Sequence, residues 1–368
     1  MSLTCKKGLL LSRCLRECVL GGALLIAANY AQAHDFVCIT TAAGLQNALT
    51  QSSDGGVHSG EVNTIYLGEG TYKTGAATAN GPFHYTSTAS TGSISIRGGY
   101  YGATCGSYSH SPAHTILDGN NATQVLKMLS THGEVNVQLV TIQNGESSAD
   151  GAGLAVNNIQ AGYDAVISIF FNIIRNNHTT NAGGGVALYA DKTDFLLLST
   201  NLIIGNSADN AYGAGIVFAN GSTTSNQQTV IAHNVVYANK TLQSSGVGGL
   251  GCGSTGAQLT YVSDNILWNN DHTGLYLIGN NVYMKSNDYG MLGGSVPANN
   301  ENGLSVAPRF MDTAGGDFHL AGNSPLLGVT FDFLGISTDL DGNAFPQIGK
   351  GDLGAYEDTI FFDGFDSD

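Results

Sequence analysis

Five side chains have types and spacing that suit binding chemistry: Arg175, His233, Tyr237, Asp264 and Trp268. All sit on a short motif in which an Asn precedes two apolar residues. Arg175, Tyr237 and Trp268 each stand three places after that Asn, and Ile204 takes the same place in one further copy. His233 and Asp264 stand immediately before it. Trp268 is the only Trp in the chain. If the Asn and the second apolar residue point inward, the residues between and beside them point outward. Tyr237 and Trp268 then become neighbours on adjacent repeats. An aromatic pair flanked by a cation, an imidazole and a carboxylate can stack on sugar rings and hydrogen-bond their hydroxyls. The competing reading is that the two rings pack beneath a loop, the more usual fate of aromatic residues.

Cleavage chemistry finds less support. A glycoside hydrolase needs two carboxylates a set distance apart across the bond. A lyase needs a cation to acidify the sugar proton and a base to remove it. Beyond position 33 the arginines are Arg97, Arg175 and Arg309, and Asp191, Asp194, Asp209, Asp264 and Asp271 are spread singly. No complete catalytic signature, phosphate loop, nucleophile elbow or dinucleotide fingerprint is present. Asp339-x-Asp341-x-Asn343 begins like a calcium loop, but Ala344 replaces the required Gly and Lys350 the bidentate Glu. A turn rich in Asp and Asn is the simpler reading, with calcium as the weak alternative. His110 and His114 flank a turn, so no metal-ligand set is predicted.

The elements that must carry these residues are declared by an internal repeat. Asn172–Asn177, Asn201–Asn206, Asn234–Asn239 and Asn265–Asn270 share the pattern Asn, two apolar, two variable, Asn; Val140–Gly145 is a degenerate earlier copy. The spacing between successive starts is nearly constant. A Gly-aliphatic column runs in phase: Gly153-Leu154, Gly185-Val186, Gly215-Ile216, Gly249-Leu250 and Gly274-Leu275. A third column, three places before each start, is Val137, Ile169, Leu198, Ile231 and Val262. The runs between are too short for helices and suit strands. No such strand buries its apolar face alone, but coils stacked about 4.8 Å apart pair each strand above and below. Like residues then stack on like. Asn amides hydrogen-bond along the axis, and Asn tolerates the left-handed backbone of a tight turn. The predicted fold is all-β, a right-handed parallel β-helix, with 51 Gly and sparse charge to match.

The segment 1–33 reads as a secretory signal: Lys6, Lys7, Arg13 and Arg16, an apolar run over 19–28, then Ala31-Gln32-Ala33. The run is too short to span a membrane, and no other stretch is long enough. That segment holds four of the 13 basic residues and one of the 28 acidic ones, so the remainder is more acidic than the formal −15 of the whole chain. Such a surface repels nucleic acid. Cys38 and Cys105 are expected to pair in an exported protein, a closure worth roughly 4 kcal/mol in the chain-entropy model. Cys252, between two glycines, reads as a small buried residue.

Ala42–Ser52 is the one short amphipathic helix and is expected to cover the N-terminal end. Past Asn281 the period blurs. The predicted division is therefore a signal over 1–33, a β-helix with its cap over 34–310, an irregular C-terminal cap over 311–358, and an acidic tail over 359–368.

Several of these segments resemble known families. The Asn column followed by Gly-Gly-x-aliphatic is similar to the repeats of polymorphic outer-membrane-protein-like β-helices. Leu45 to Tyr72 resembles the N-terminal capping region of pectin-lyase-like exported proteins. Ser324-Pro325, Thr338–Asn343 and Asp352–Glu357 resemble the choice-of-anchor C-terminal module, with Leu-Leu-Gly after Ser-Pro and Gln347 as departures. Phe362–Asp366 resembles a short tail of exported relatives. The resemblance implies an exported or surface β-helix. Combined with the outer aromatic column, it leads us to expect binding of polysaccharide or a cell-surface glycan, in an adhesin-like role. The alternative is a polysaccharide lyase or glycoside hydrolase on the same fold.

Overall fold

The computed structural model describes residues 32–357, apart from 103, 159–164, 192, 211, 222–227, 296–299, 331–335 and 347–349. Positions 1–31 of the predicted signal and the 359–368 tail lie outside the described residues.

One coil illustrates the rest. Ala165–Phe170 runs as a strand, the chain turns at Phe171, and Ile173–Arg175 follows as a second strand. A second turn at Asn176 leads to the short strand His178–Thr179, then to Val186–Tyr189. Each strand pairs in parallel with its counterpart one coil on: Ile169 with Leu198, Ile174 with Ile203, His178 with Ser207, Val186 with Ile216. Repetition yields parallel sheets of 11, eight, eight and four strands among the described residues, with Ser107–Tyr108 joining the largest antiparallel. The molecule is a parallel β-helix. We refer to the sheets that hold Ala165–Phe170, Ile173–Arg175 and Val186–Tyr189 as the first, second and third.

The interior is the set of columns read from the repeat. Val137, Ile169, Leu198, Ile231 and Val262 are fully buried, and so are Ile174, Ile203 and the aliphatic residues after the Gly column. Each contributes about 1.5–3 kcal/mol by leaving water.

At each of the two corners an Asn column forms a continuous amide ladder. At the corner between the first and second sheets, Nδ2 of Asn172, Asn201, Asn234 and Asn265 donates to Oδ1 of the next Asn at 2.9–3.1 Å, ending on Asn287. Asn234 shows the whole pattern. Its Nδ2 also donates to the carbonyls of Leu198 (2.9 Å) and Ala232 (3.1 Å), and its Oδ1 accepts from the backbone N–H of Asn201 at 3.1 Å. The second ladder runs Asn177, Asn206, Asn239, Asn270 at 2.9–3.0 Å. Asn287 was not visible as a repeat member: it follows Asn265 by only 22 positions, and the apolar pair after it is replaced by Asp288-Tyr289.

The ladder Asn residues do not themselves make the left-handed turn. In the first ladder the residue before each does: Phe171, Thr200, His233, Asp264 and Ser286 all have φ between 51° and 59°, as has Leu139 at the same corner before Val140. A non-Gly residue there costs roughly 1–2 kcal/mol, which the saturated amide beside it offsets. The Gly column follows from the second ladder. A Cβ on Gly153 would lie 2.7 Å from Nδ2 of Asn177, and one on Gly185 2.9 Å from Nδ2 of Asn206. The next coil's backbone is closer still, with the Gly185 carbonyl 2.5 Å from a Cβ on Gly153 and the Gly274 carbonyl 2.0 Å from one on Gly249. Gly is therefore needed there to admit the neighbouring coil and, at Gly153 and Gly185, the amide, not to permit an unusual φ.

The helix Ala42–Ser52 forms as expected, its N-terminus capped by the Thr41 hydroxyl, with Leu45, Ala48 and Leu49 joining the core at the N-terminal end. Cys38 and Cys105 form a disulfide. Cys252 is buried, and burial pushes its thiol up to about 12. The C-terminal segment lies along the outer face of the second sheet. Leu202, Val235 and Ile266 of that face pack against Phe318, Leu320, Leu326, Leu340, Leu353 and Tyr356.

Replacing Asn234 by Ala takes the acceptor from the buried Asn201 backbone N–H, removes one donor each from the Leu198 and Ala232 carbonyls and from Asn265 Oδ1, and opens a void. The orphaned N–H alone costs about 1–3 kcal/mol. We expect urea unfolding to show a loss of at least about 3 kcal/mol. A loss under about 1 kcal/mol would show that the ladder is not a major source of stability.

Candidate functional site

The structure stacks Gln143, Arg175, Ile204, Tyr237 and Trp268 in one outward column, in register on the second sheet. That much of the outer-face expectation holds. Most of the column, however, is roofed. The antiparallel hairpin Phe310–Asp312 and Asp317–Leu320 sets Phe310 and Phe318 edge-on against Tyr237, ring centroids 5.7 and 5.2 Å away. Trp268 packs against the same apolar cluster. The competing reading of these rings, packing beneath a covering segment, describes Tyr237 and Trp268 better than an open aromatic platform does.

His233 and Asp264 are fully buried, which corrects the expectation that they lie on an open face. Both occupy the left-handed corner column, and the C-terminal segment crosses that corner. His233 Nε2 lies 3.8 Å from Asp264 Oδ2, and Phe345 covers the imidazole with centroids 4.7 Å apart. Thr330 donates its hydroxyl to Asp264 Oδ1, and the Gly354 N–H donates to the Asp264 carbonyl at 3.0 Å. These two residues fasten the C-terminal segment to the helix and do not meet solvent.

Arg175 is different. It is half-buried, and its Nε donates to Gln143 Oε1 at 3.0 Å. The column above it is covered by a turn instead of a ring. A cleft of about 300 Å³ opens there, lined by Arg175, Asn176, Ile204, Tyr237, Phe318 and the turn Thr313–Gly316. The turn is braced by the Gly315 N–H donating to Asp312 Oδ1 at 3.0 Å. A Cβ on Gly315 would stand 2.4 Å from that carboxylate, so a side chain there would displace Asp312 from the turn. The cleft therefore joins a guanidinium, an amide and an aromatic edge, the mixture that orients a polar ligand in a concave site.

Around the second corner lies a charged group whose members look scattered in the sequence. Glu146, His178, Ser207 and Lys240 are in register on the short fourth sheet. His178 Nδ1 is 2.8 Å from Glu146 Oε1, and Nε2 is 3.1 Å from Asp209 Oδ1. Burial pulls the imidazole down, but the hydrogen bonds to the two carboxylates outweigh it and hold His178 above its ordinary range. The available signal was positional: Glu146, His178, Ser207 and Lys240 each directly follow a second-corner position, at Gly145, Asn177, Asn206 and Asn239.

A similar bridge holds the C-terminal segment. His319 lies between Asp317 (2.7 Å) and Asp341 (3.0 Å) and packs on Tyr356, centroids 4.2 Å apart. Asp339, first residue of the calcium-like stretch, commits its carboxylate inside the protein. It accepts from the N–H groups of Asp341, Asn343 and Glu357 and from the Asn343 side chain. That is the Asp/Asn turn expected as the simpler reading. Among the described residues no helix is long and apolar enough to cross a membrane.

Comparison with known proteins gave no matching family model, no matching curated protein and no matching solved structure.

The hydrogen bond to Asp341, with that to Asp317, raises His319 from 6.5 to about 9. A raised imidazole stabilises the fold fully below its unfolded value and loses that contribution as pH rises through the folded one. We expect the Tm of the parent to fall more steeply between about pH 6.5 and 9 than that of His319→Gln. Parallel Tm curves would rule the bridge out as a pH-dependent fastener.

Proposed function

We propose that this protein is an exported β-helix of the pectin-lyase-like kind that binds polysaccharide or a cell-surface glycan, with Arg175 at the centre of recognition. The observation that carries the reading is the Arg175 cleft. Gln143 fixes the guanidinium through Nε, and Nη1 and Nη2 have no protein hydrogen-bond partner among the described residues. In a chain of formal charge −15, one oriented arginine in a concave site is a specific feature. A guanidinium binds a carboxylate through two parallel hydrogen bonds, so acidic sugars fit best. Tyr237 and Asn176 supply a ring edge and an amide for neighbouring hydroxyls. The signal-like segment 1–33, the Cys38–Cys105 disulfide and the acidic surface support export.

Cleavage of the glycan, the second reading, would draw on Glu146, His178 and Asp209. A general base needs a nitrogen lone pair free to take a proton. Both nitrogens of His178 are committed to carboxylates, so the group is better suited to holding charge in place. This favours binding over cleavage.

The test is affinity of the purified chain for polygalacturonate and alginate against neutral glucans. We expect preference for the acidic polymers, and roughly a 10- to 100-fold loss in Arg175→Ala from two charge-assisted hydrogen bonds. Arg175→Lys should recover only part. Equal binding by parent and Arg175→Ala, or no binding to any polymer, would overturn the proposal. New reducing or unsaturated ends during the same incubations would favour cleavage instead.

A further inference from the structure

We propose that His34, His58 and Glu61 form a binding site for a divalent transition metal of the zinc and copper class, at the N-terminal edge of the first sheet. One ligand atom from each of the three lies within 4.8 Å of the others, and all three residues are half-buried. His58 Nδ1 is 2.9 Å from Glu61 Oε2, and the imidazoles of His34 and His58 face each other with centroids 3.5 Å apart and planes 16° from parallel. Around zinc, bonds of about 2.0–2.1 Å place tetrahedral ligands roughly 3.4 Å apart. Because an imidazole lone pair lies in its ring plane, closing the group on an ion takes a rotation of one stacked ring as well as a shift of the donors.

The surroundings hold the donors near that arrangement. Ala33–Ile39 pairs in parallel with Val62–Gly68, which puts His34 opposite Asn63. Asn63 is buried, and its Nδ2 donates to the carbonyls of His58 at 3.0 Å and Glu61 at 3.1 Å. One side chain therefore ties down the loop that carries two of the ligands and sits beside the strand that carries the third. The His58 N–H donates to the Gln51 carbonyl at 2.9 Å, which anchors the loop to the capping helix. Phe36 packs edge-on to both imidazoles, at 4.5 and 5.6 Å, and walls off one side. Fixing of ligands by an outer layer of partners is what distinguishes a metal site from a chance cluster.

The donor types select the metal. Two imidazole nitrogens and a carboxylate oxygen suit zinc or copper, whereas calcium and magnesium seek oxygen ligands throughout. Three protein ligands leave a position open to water or a further group. No metal-ligand set was predicted from the sequence. His34 and His58 are distant along the chain with no motif between them, and only the register of the first two strands unites them.

The test uses the full chain as recovered after expression, stripped with chelator and titrated with zinc chloride. We expect one zinc per chain and a Tm raised by zinc. The affinity should fall at least about 10-fold in His58→Gln and in Glu61→Gln, with His114→Gln unchanged as a surface control. Copper(II) bound to the unaltered chain should show electron-spin coupling to two imidazole nitrogens, a readout that needs no variant to fold. No saturable zinc binding, unchanged affinity in both variants, or copper coupled to fewer than two imidazoles would overturn the assignment.

Discussion

The stacked carboxamide is the interaction on which the rest of this structure depends. A buried primary amide has two donors and an acceptor to satisfy. In this fold Asn172, Asn201, Asn234 and Asn265 satisfy them with the Asn of the next coil and with carbonyls of their own coil and the one before. Asn177, Asn206 and Asn239 do so with the next Asn and a carbonyl of the coil before. The arrangement works only if successive coils keep the spacing of paired strands, about 4.8 Å. It therefore fixes axial register for every other column. The corner residue must turn left-handed to bring the Asn inward, and the facing residue must be Gly to admit the backbone of the next coil and, at Gly153 and Gly185, the second amide. Columns that look independent in the sequence are therefore linked through the amide ladder and the close approach of successive coils.

The outer face of the second sheet meets a second constraint. Leu202, Val235 and Ile266 point away from the coil interior, and a row of exposed aliphatic side chains is an aggregation hazard. The C-terminal segment covers them, and its fasteners are polar or aromatic: the Thr330 hydroxyl on Asp264, Phe345 over His233, and the His319 bridge between Asp317 and Asp341. The roof stops being aromatic at the Thr313–Gly316 turn, and Arg175 faces the resulting cleft. The candidate site is thus the place where structural packing gives way to a glycine turn. An arginine held by a glutamine of the preceding coil occupies it.

Columns that recur once per coil were legible in the sequence, because a solenoid writes its interior periodically. The Asn, Gly and aliphatic columns, the capping helix over Ala42–Ser52 and the Cys38–Cys105 pair all came from types and spacing. What could not be read was contact at long separation. Asp264 meets Thr330 from 66 positions away, and His110 Nδ1 lies 3.3 Å from the Leu340 carbonyl across 230. No period links such pairs, so the sequence could not say which segment packs over Tyr237 and Trp268. The same limit hid Glu146, His178 and Asp209, since isolated carboxylates along a chain do not announce a shared partner. It hid His34 and His58 as well.

Hydrogen exchange resolved by residue tests the ladder most directly. The backbone N–H groups of Asn172, Asn201, Asn234 and Asn265 each donate to the side-chain oxygen of the next Asn, at 3.0–3.1 Å. If the stacked amides hold the coil together, these four should exchange only with global unfolding, in the slowest class with the interior amides of Ile169, Leu198 and Ile231. Exchange of the four Asn amides at the rate of surface turns, while the strands stay protected, would contradict the account.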